Sequence, residues 1–365
     1  MKQIALGMVG GGQGAFIGAV HRIAARLDGR FNLVAGALSS DPERAAASAA
    51  ELGIARSYDD WAEMARAEAA RPDGIRAVAI VTPNHVHFGP AKAFLEAGIH
   101  VICDKPMTAT LDEALALREI AERSDALFIL THTYAGYPML REARRLVAEG
   151  ALGRLRLAQV EYVQDWLAAP VSGKQADWRA DPKQAGTGAI GDIGTHAAHL
   201  ARFVTGLPIE QVAAEMHSFV EGRVVDDNIH VMMRLGAGVR GMLWASQVAP
   251  GHDNDLRLRV IGEEATVDWC HDRAEELRFT RLGEAPQILT RGGPGFQGQA
   301  RVPGGHPEGY LEAFATLYAD AADAIEAGAL PDGLPGVVEG VQGLRFIEAC
   351  LASDADDGRW TALKD

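Results

Sequence analysis

Cysteines and long apolar runs are scarce in this sequence. Its 365 residues include three cysteines, Cys103, Cys270 and Cys350. The number is odd and the spacing fits neither a disulfide framework nor a metal site, so we expect a reducing, cytoplasmic location. No run approaches the length of a membrane span, and the first residues lack the pattern of a signal peptide. The sequence therefore predicts neither a disulfide-stabilised secreted protein nor a membrane protein.

Positive charge is also in short supply. Lysine and arginine number 35 against 49 acidic residues, giving a formal net charge of −14. This balance argues against nucleic acid and anionic membranes as partners. The negative net charge does not exclude a phosphate-bearing cofactor, because backbone amides bind phosphate even in an acidic protein. The length predicts two domains.

A glycine-rich turn follows the first predicted strand, Ile4–Val9. Gly10, Gly12 and Ala15 match the pattern G-x-G-x-x-G/A, with a helix predicted directly after it over Phe16–Leu27. Strand, tight turn and helix N-terminus together are typical of a dinucleotide pyrophosphate site, although an ordinary glycine-rich turn is the simpler alternative. The predicted cofactor contacts of this turn are Gly10, Gly12, Gln13, Gly14, Ala15 and Phe16.

Residues 77–106 predict a βαβ unit with two buried strands, Ala77–Val81 and His100–Cys103. Polar residues follow both strands, where open parallel sheets place their ligands. A lysine followed by proline is held extended or in a turn, so the ammonium of Lys105 can be aimed. The predicted cofactor contacts here are Thr82, Pro83, Asn84, His87, Asp104, Lys105 and Pro106.

A second polar pair lies in a segment rich in small residues, after a long alternating strand predicted over Arg154–Trp166. Asp192 and His196 are four residues apart, so near a helix start they share one face. Asp192 could instead be only a helix cap, and His196 only structural. A metal site that adds His199 lacks a further donor at a characteristic spacing, so no metal is predicted.

The Asp-Lys-Pro turn, with Thr82-Pro83-Asn84 one unit earlier, resembles the Gfo/Idh/MocA oxidoreductase family over the whole chain. Asp104 stands where members typically carry glutamate, and His199 where they often carry aspartate. The resemblance implies that the Lys105–Pro106 peptide is cis and that the Asp192–His196 element faces that turn across a domain crevice. It also implies a polyol substrate: a sugar, a glycoside or a cyclitol such as inositol.

The end of the second predicted strand, Asn32–Leu38, bears on the choice of cofactor. An acid at this point marks NAD, and by alignment to the family pattern the position is Ser39. Ser39 and Ser40 neither repel a 2′-phosphate nor require a free hydroxyl, and Arg44 is placed to reach a phosphate. The cofactor is therefore expected to be NAD or NADP, with a slight preference for NAD drawn from the family's catabolic members.

The predicted fold is α/β: a doubly wound Rossmann domain over 1–132, then an α+β domain over 133–365 with a large open mixed or antiparallel sheet of about six strands. Residues 283–305 predict a long loop, and His306 is predicted to open a helix. The sequence is also compatible with a C-terminal helix that packs back on the first domain. Few helices cover the second sheet, so a homodimer or homotetramer through it is expected, as is common in the family.

These parts together predict a dehydrogenase acting on a secondary alcohol or its ketone. Hydride removal also requires loss of the hydroxyl proton, which suits His196 as base, with Lys105 steadying the alkoxide and Asp192 as a partner. The alternatives are a non-catalytic nucleotide-binding regulator or scaffold, and a dehydrogenase for an acyclic or amine substrate. The predicted substrate contacts are Lys105, Tyr134, Trp166, Trp178, Arg179, Asp192, His196 and His306.

Overall fold

The computed structural model describes residues 3–169 and 187–363. By its contacts the chain divides into two compact units, 1–136 with 310–341 and 137–309 with 342–365. The boundary expected from the sequence lay between residues 132 and 133. In the structure the first unit also takes up residues 133–136 and a later segment that contains a long helix.

The first unit contains a six-stranded sheet in the order β3-β2-β1-β4-β5-β6. All of its strand pairs are parallel, which confirms the predicted Rossmann architecture. The sequence did not predict β3, which is only two residues long. The strands are β1 Ile4–Gly10, β2 Phe31–Ala37, β3 Arg56–Ser57, β4 Ala77–Val81, β5 His100–Cys103 and β6 Phe128–Leu130.

Short polar side chains cap the N-termini of two helices of the first unit. Asp41 accepts the N–H of Arg44 at 2.8 Å, and Thr110 accepts the N–H of Glu113 at 3.3 Å. No helix within the described ranges is long and apolar enough to cross a bilayer. The α-helices are α1 Phe16–Leu27, α2 Pro42–Leu52, α3 Trp61–Ala69, α4 Phe88–Glu96, α5 Leu111–Arg123, α6 Pro138–Ala148, α7 Thr195–Thr205, α8 Tyr310–Ala327 and α9 Val337–Ala355.

The second unit is built on a nine-stranded mixed sheet in the order β14-β13-β12-β11-β7-β10-β9-β8-β15. Strands β7 and β10 are parallel, and the other pairs are antiparallel. The strands are β7 Leu155–Val163, β8 Ile209–His217, β9 Asn228–Leu235, β10 Arg240–Ser246, β11 Asp255–Gly262, β12 Ala265–Cys270, β13 Glu276–Arg281, β14 Gln287–Thr290 and β15 Thr361–Ala362.

Two expectations about this unit were wrong. The sheet has nine strands rather than about six: β14 lies inside the predicted loop 283–305 and pairs with β13, and the two-residue β15 pairs with β8. The helix expected to open at His306 begins at Tyr310. His306 therefore belongs to the connection before α8, where its Nδ1 lies 3.2 Å from the carbonyl oxygen of Pro303.

The glycine turn and α1 pack together more closely than side chains would allow. A Cβ added to Gly18 in α1 would lie 2.4 Å from the Cα of Gly11. Gly11 itself has a φ of +72°, a conformation that glycine adopts without strain. This close approach fixes the position of the N-terminus of α1 relative to the edge of the sheet. The sequence pattern singled out neither Gly11 nor Gly18.

We expect Gly18→Ala to destabilise the protein by roughly 1–3 kcal/mol, because the new methyl group must push α1 away from the turn. Gly343→Ala is the matched control: it also lies in a helix, and its added Cβ meets nothing within 4 Å. The control should be neutral or slightly stabilising, since alanine favours helices by up to about 1 kcal/mol over glycine. Urea denaturation of both variants measures the difference, and equal stability would contradict the packing described above.

Candidate active site

The turn after β1 fits a dinucleotide pyrophosphate. Gly10 and Gly14 have positive φ values of 78° and 74°, as tight phosphate-binding turns require. Helix α1 starts after Ala15, without a side-chain cap and without an acid in its first turn. Its first N–H groups can therefore serve an anion. Phe16, at the first position of the helix, is 66% exposed.

Gln13 ties this turn to α2. Its backbone N–H donates to Ser48 Oγ at 3.2 Å, and its Nε2 donates to Glu51 Oε2 at 2.9 Å. A Cβ on Gly12 would lie 2.7 Å from the carbonyl oxygen of Leu38, at the end of the β2 strand region. The glycine turn is thus held against the elements that a dinucleotide's adenosine half meets in this fold.

The residues after β2 do not present the acid that marks NAD. Ser39 Oγ accepts the backbone N–H of Asp41 at 3.1 Å, so its hydroxyl already supports the local turn. Ser40 and Arg44 are exposed. The arrangement neither excludes a 2′-phosphate by charge nor builds a closed site for one.

His87 holds two of the predicted loops together. Its Nδ1 lies 2.8 Å from the carbonyl oxygen of Pro106 and its Nε2 lies 2.8 Å from that of Thr82. Burial lowers the pKa of His87, so the ring is neutral near pH 7 and one nitrogen donates. The neutral ring donates to one of these carbonyl oxygens and its other nitrogen faces the second, so the cofactor contact predicted for His87 would have to be made without the ring nitrogens.

The Asp104-Lys105-Pro106 turn carries a buried charge beside a lysine. The Lys105–Pro106 peptide is cis, as the resemblance implied. Thr131 Oγ1 donates to Asp104 Oδ1 at 3.0 Å, and His21 Nε2 lies 3.8 Å from the same oxygen. Burial alone would raise the pKa of Asp104, but the contact with His21 and the charges of His21, Lys105 and His87 outweigh it and lower that pKa to about 2.

Two hydroxyls at this edge of the sheet also fit a bound ligand. Thr82 Oγ1 and Thr133 Oγ1 are buried and have no hydrogen-bond partner within the described part of the chain. Buried polar atoms are nearly always satisfied, so a cofactor group at the ends of β4 and β6 would complete them. Asn84 and Tyr134, predicted for cofactor and substrate, are buried at the same ends, and Pro83 is exposed.

Asp192 and His196 lie at the start of one helix in the second unit. Ile190–Gly194 form a π-helical turn that runs directly into α7, a feature frequent at functional sites. Gln247, which is buried, donates its Nε2 to Asp192 Oδ2 at 2.9 Å. The His196 ring lies 6.2 Å from the ring of Tyr162. The pair predicted from the sequence is therefore on one rigid element, with the Asp192 carboxylate oriented by an amide.

Asp226 fixes the beginning of that element, and sequence reasoning missed it. Its two carboxylate oxygens accept the N–H groups of Gly188 and Ile190, each at 2.7 Å. Burial raises the pKa of Asp226, and these two hydrogen bonds oppose the increase. The acidic pair at 226 and 227, just before a strand, was the only sequence signal available. It looks like an ordinary surface turn.

Trp166, a further predicted substrate contact, is held by a chain of side-chain hydrogen bonds. Trp166 Nε1 donates to Gln164 Oε1 at 2.9 Å, and Gln164 Nε2 donates to Asn254 Oδ1 at 2.7 Å, which orients the indole. His306 is exposed in the connection before α8. Trp178 and Arg179 lie outside the described residues.

Within the described ranges, one group of side chains has the spacing of metal ligands. It does not include Asp192, His196 or His199, the residues considered from the sequence. Atoms of Asp255, Cys270 and Asp272 lie within 4.8 Å of one another. Asp255 is already neutralised by Arg257, whose Nη2 is 2.9 Å away. The His199 ring stacks on Phe203 with centroids 5.8 Å apart.

Known proteins share both units of this chain. Residues 4–132 match an oxidoreductase family described by an NAD-binding Rossmann fold, and residues 140–268 match the Gfo/Idh/MocA C-terminal domain. The chain is 33% identical to the uncharacterized oxidoreductase YfiI of Bacillus subtilis, covering 100% of this chain and 98% of that protein. The chain belongs to the Gfo/Idh/MocA oxidoreductase family.

Two further relatives carry names that specify a substrate. Levoglucosan dehydrogenase of Pseudarthrobacter phenanthrenivorans is 31% identical over 76% of each chain. The crystal structure of an inositol dehydrogenase homolog from Azotobacter vinelandii, complexed with NADH and myo-inositol, is 38% identical, covers 99% of this chain and 98% of that chain, and has a TM-score of 0.91. As a Gfo/Idh/MocA member this chain is an oxidoreductase, and the predicted family, fold and enzyme class are confirmed.

The unfolding free energy of the protein should depend on pH through Asp104, the carboxylate next to Lys105. Folding lowers the pKa of Asp104 to about 2, so its carboxylate stabilises the fold above its unfolded pKa near 3.9, and that stability is lost as the pH falls toward 2. We expect the difference in unfolding free energy between wild type and Asp104→Asn to shrink by up to roughly 2 kcal/mol from about pH 5 downward. Urea titrations at several pH values measure it.

Asp125→Asn is the control, because Asp125 is an exposed carboxylate of the same unit. Its difference from wild type should stay small and nearly constant with pH. A pH-independent difference for Asp104→Asn would show that the ionised form is not preferentially stabilised by folding.

Proposed function

We propose that this Gfo/Idh/MocA member is an NAD(P)-dependent dehydrogenase that transfers a hydride between the nicotinamide and a secondary alcohol or ketone of a sugar, glycoside or cyclitol. The observation that supports it most is the placement of Lys105 beside the compensated Asp104, on the sheet edge that also carries the glycine turn. Relatives named for levoglucosan and inositol support the substrate class.

The proposed chemistry divides the work among three side chains. NAD(P)⁺, when bound, supplies the hydride acceptor. His196 takes the hydroxyl proton of the alcohol, and the Lys105 ammonium steadies the negative charge that develops on the oxygen. Asp192, oriented by Gln247, is a partner for the imidazole or for a substrate hydroxyl. In the reverse direction, the same groups return the proton to the alkoxide.

For the cofactor we propose dual use with a modest bias to NAD. No acid stands at Ser39 to repel a 2′-phosphate, and exposed Arg44 forms no closed phosphate site. A screen of sugars, glycosides and inositols with NAD⁺ and with NADP⁺, following the absorbance of the reduced nicotinamide, tests substrate class and cofactor together. Absence of turnover with every polyol and both cofactors would contradict the proposal.

We expect His196→Asn and Lys105→Met each to lower kcat by roughly 10²–10⁴-fold, the usual range for a positioned acid–base group. The double variant should fall far short of the product of the two losses if both groups act on one oxygen. Nicotinamide binding, measured by fluorescence, should change little, because the glycine turn holds the pyrophosphate. Full activity in His196→Asn would remove it as the base, and lost cofactor binding in both variants would make their roles structural.

We also propose that the protein forms a homodimer or homotetramer through the outer face of the second sheet. Leu157, Met232 and Met242 are 47%, 52% and 49% exposed. Met232 and Met242 are directly paired across β9 and β10, and Trp244 pairs with His230 beside them. The exposed apolar stripe that Met232 and Met242 form across these two strands is a feature of interfaces.

Met242→Lys should therefore shift the protein toward monomer, since it places a charge in the middle of the stripe. Val338→Lys is the control: Val338 is 53% exposed but lies on α9 rather than on the sheet. Light scattering after size-exclusion chromatography measures both variants. A wild-type monomer at micromolar concentration, or an unchanged oligomer in Met242→Lys, would contradict this interface.

A further inference from the structure

His21 is a buried titratable group with no part in the mechanism proposed above. It lies on the inner face of α1 and is 0% exposed. Its Nδ1 is 2.9 Å from the hydroxyl oxygen of Tyr318 in α8, and its ring packs at 5.1 Å, centroid to centroid, on Phe314. A buried imidazole needs hydrogen-bond partners, and Tyr318 supplies one for Nδ1 only.

The second nitrogen of this ring faces the Lys105 turn. His21 Nε2 lies 3.8 Å from Asp104 Oδ1, longer than a hydrogen bond but close enough for an electrostatic contact. The Asp104 carboxylate is also fixed by Thr131, and the Asp104 backbone N–H donates to the carbonyl oxygen of Ile80 at 2.9 Å. Asp104 thus has its position defined from α1, β4 and β6.

The contacts with Asp104 and Tyr318 together favour one tautomer of the neutral His21 ring: a carboxylate only accepts, so the hydrogen is better placed on Nε2. Burial raises the pKa of Tyr318, so its hydroxyl stays protonated and can donate to Nδ1. When Nδ1 accepts this hydrogen bond, the hydrogen of the ring is on Nε2, the atom that faces the Asp104 carboxylate. Tyr318 is in this way a reason for the tautomer that suits Asp104, rather than a separate contact.

From this geometry we infer that His21 is a positioning residue for Lys105, acting through Asp104. The inference rests on the role proposed for Lys105 in the dehydrogenase. Lys105 is adjacent to Asp104 in the chain, so a displaced Asp104 moves the lysine backbone with it. His87 already holds the other end of the turn through the carbonyl of Pro106. Small misplacements of a reacting group are enough to lower a rate by about 100-fold.

Two substitutions at His21 distinguish the role of Nδ1 from that of Nε2. The side-chain amide of His21→Gln reaches about as far as Nε2 and keeps a donor toward Asp104. His21→Asn reaches only about as far as Nδ1, so it keeps Tyr318 and loses Asp104. We expect His21→Asn to lower kcat roughly 10- to 100-fold with little change in KM, and His21→Gln to retain most of the wild-type kcat.

Cofactor binding distinguishes positioning from simple damage to α1. The Kd for the nicotinamide cofactor should stay near the wild-type value in both variants, because the glycine turn precedes His21 by several residues. His100→Asn is the matched control: it is the same substitution in the same unit, at the start of β5, where the ring accepts the N–H of Leu127 at 2.9 Å. This control should leave kcat unchanged. A parallel loss of kcat and cofactor affinity in His21→Asn would overturn the inference, as would an unchanged kcat.

Hydrogen–deuterium exchange of the segment around residues 101–108 tests the same inference without turnover. Exchange should be faster in His21→Asn than in wild type, His21→Gln and His100→Asn. If the wild type oxidises no polyol, the proposed function fails, and this comparison alone decides whether His21 holds the turn. Equal exchange in all four proteins would show that it does not.

Discussion

The compensation of the largely buried Asp104 carboxylate is the interaction on which the ligand-facing edge of the first unit depends. A carboxylate removed from water is costly unless charges and hydrogen bonds replace its solvation. Here Thr131 donates a hydrogen bond, and the nearby His21, Lys105 and His87 lower the pKa of the carboxylate. These groups come from α1 and from the ends of three neighbouring strands. The lysine turn is therefore part of a charge network, and a shift in any contributing element would reach Lys105.

Helix α1 serves this network and the cofactor site at the same time. Its N-terminus faces the glycine turn, its first turn approaches Gly11 through Gly18, and its inner face brings His21 to Asp104. A helix that must satisfy three close contacts has little freedom to shift.

In the second unit, the need of backbone N–H groups for hydrogen-bond acceptors has the same organising role. The N–H groups at the start of the π-helical turn need acceptors, and Asp226 supplies them from the segment before β9. The approach is so close that a Cβ on Gly188 would lie 1.7 Å from the carbonyl oxygen of Asp226. Gln247, at the end of β10, then orients the Asp192 carboxylate. Two strands of the sheet thus define the element that carries His196.

The sequence by itself determined the local structure: which segments are strands or helices, the glycine turn, and the motifs that follow the strand ends. These follow from hydrophobic period, capping residues and turn chemistry, which act over a few residues. Only the tertiary structure decided the short strands β3, β14 and β15, which exist by pairing, and the partners His21, Asp226 and Gln247. Their contacts join residues far apart in the chain, and no local period encodes which distant side chain will compensate a buried charge or an unpaired N–H.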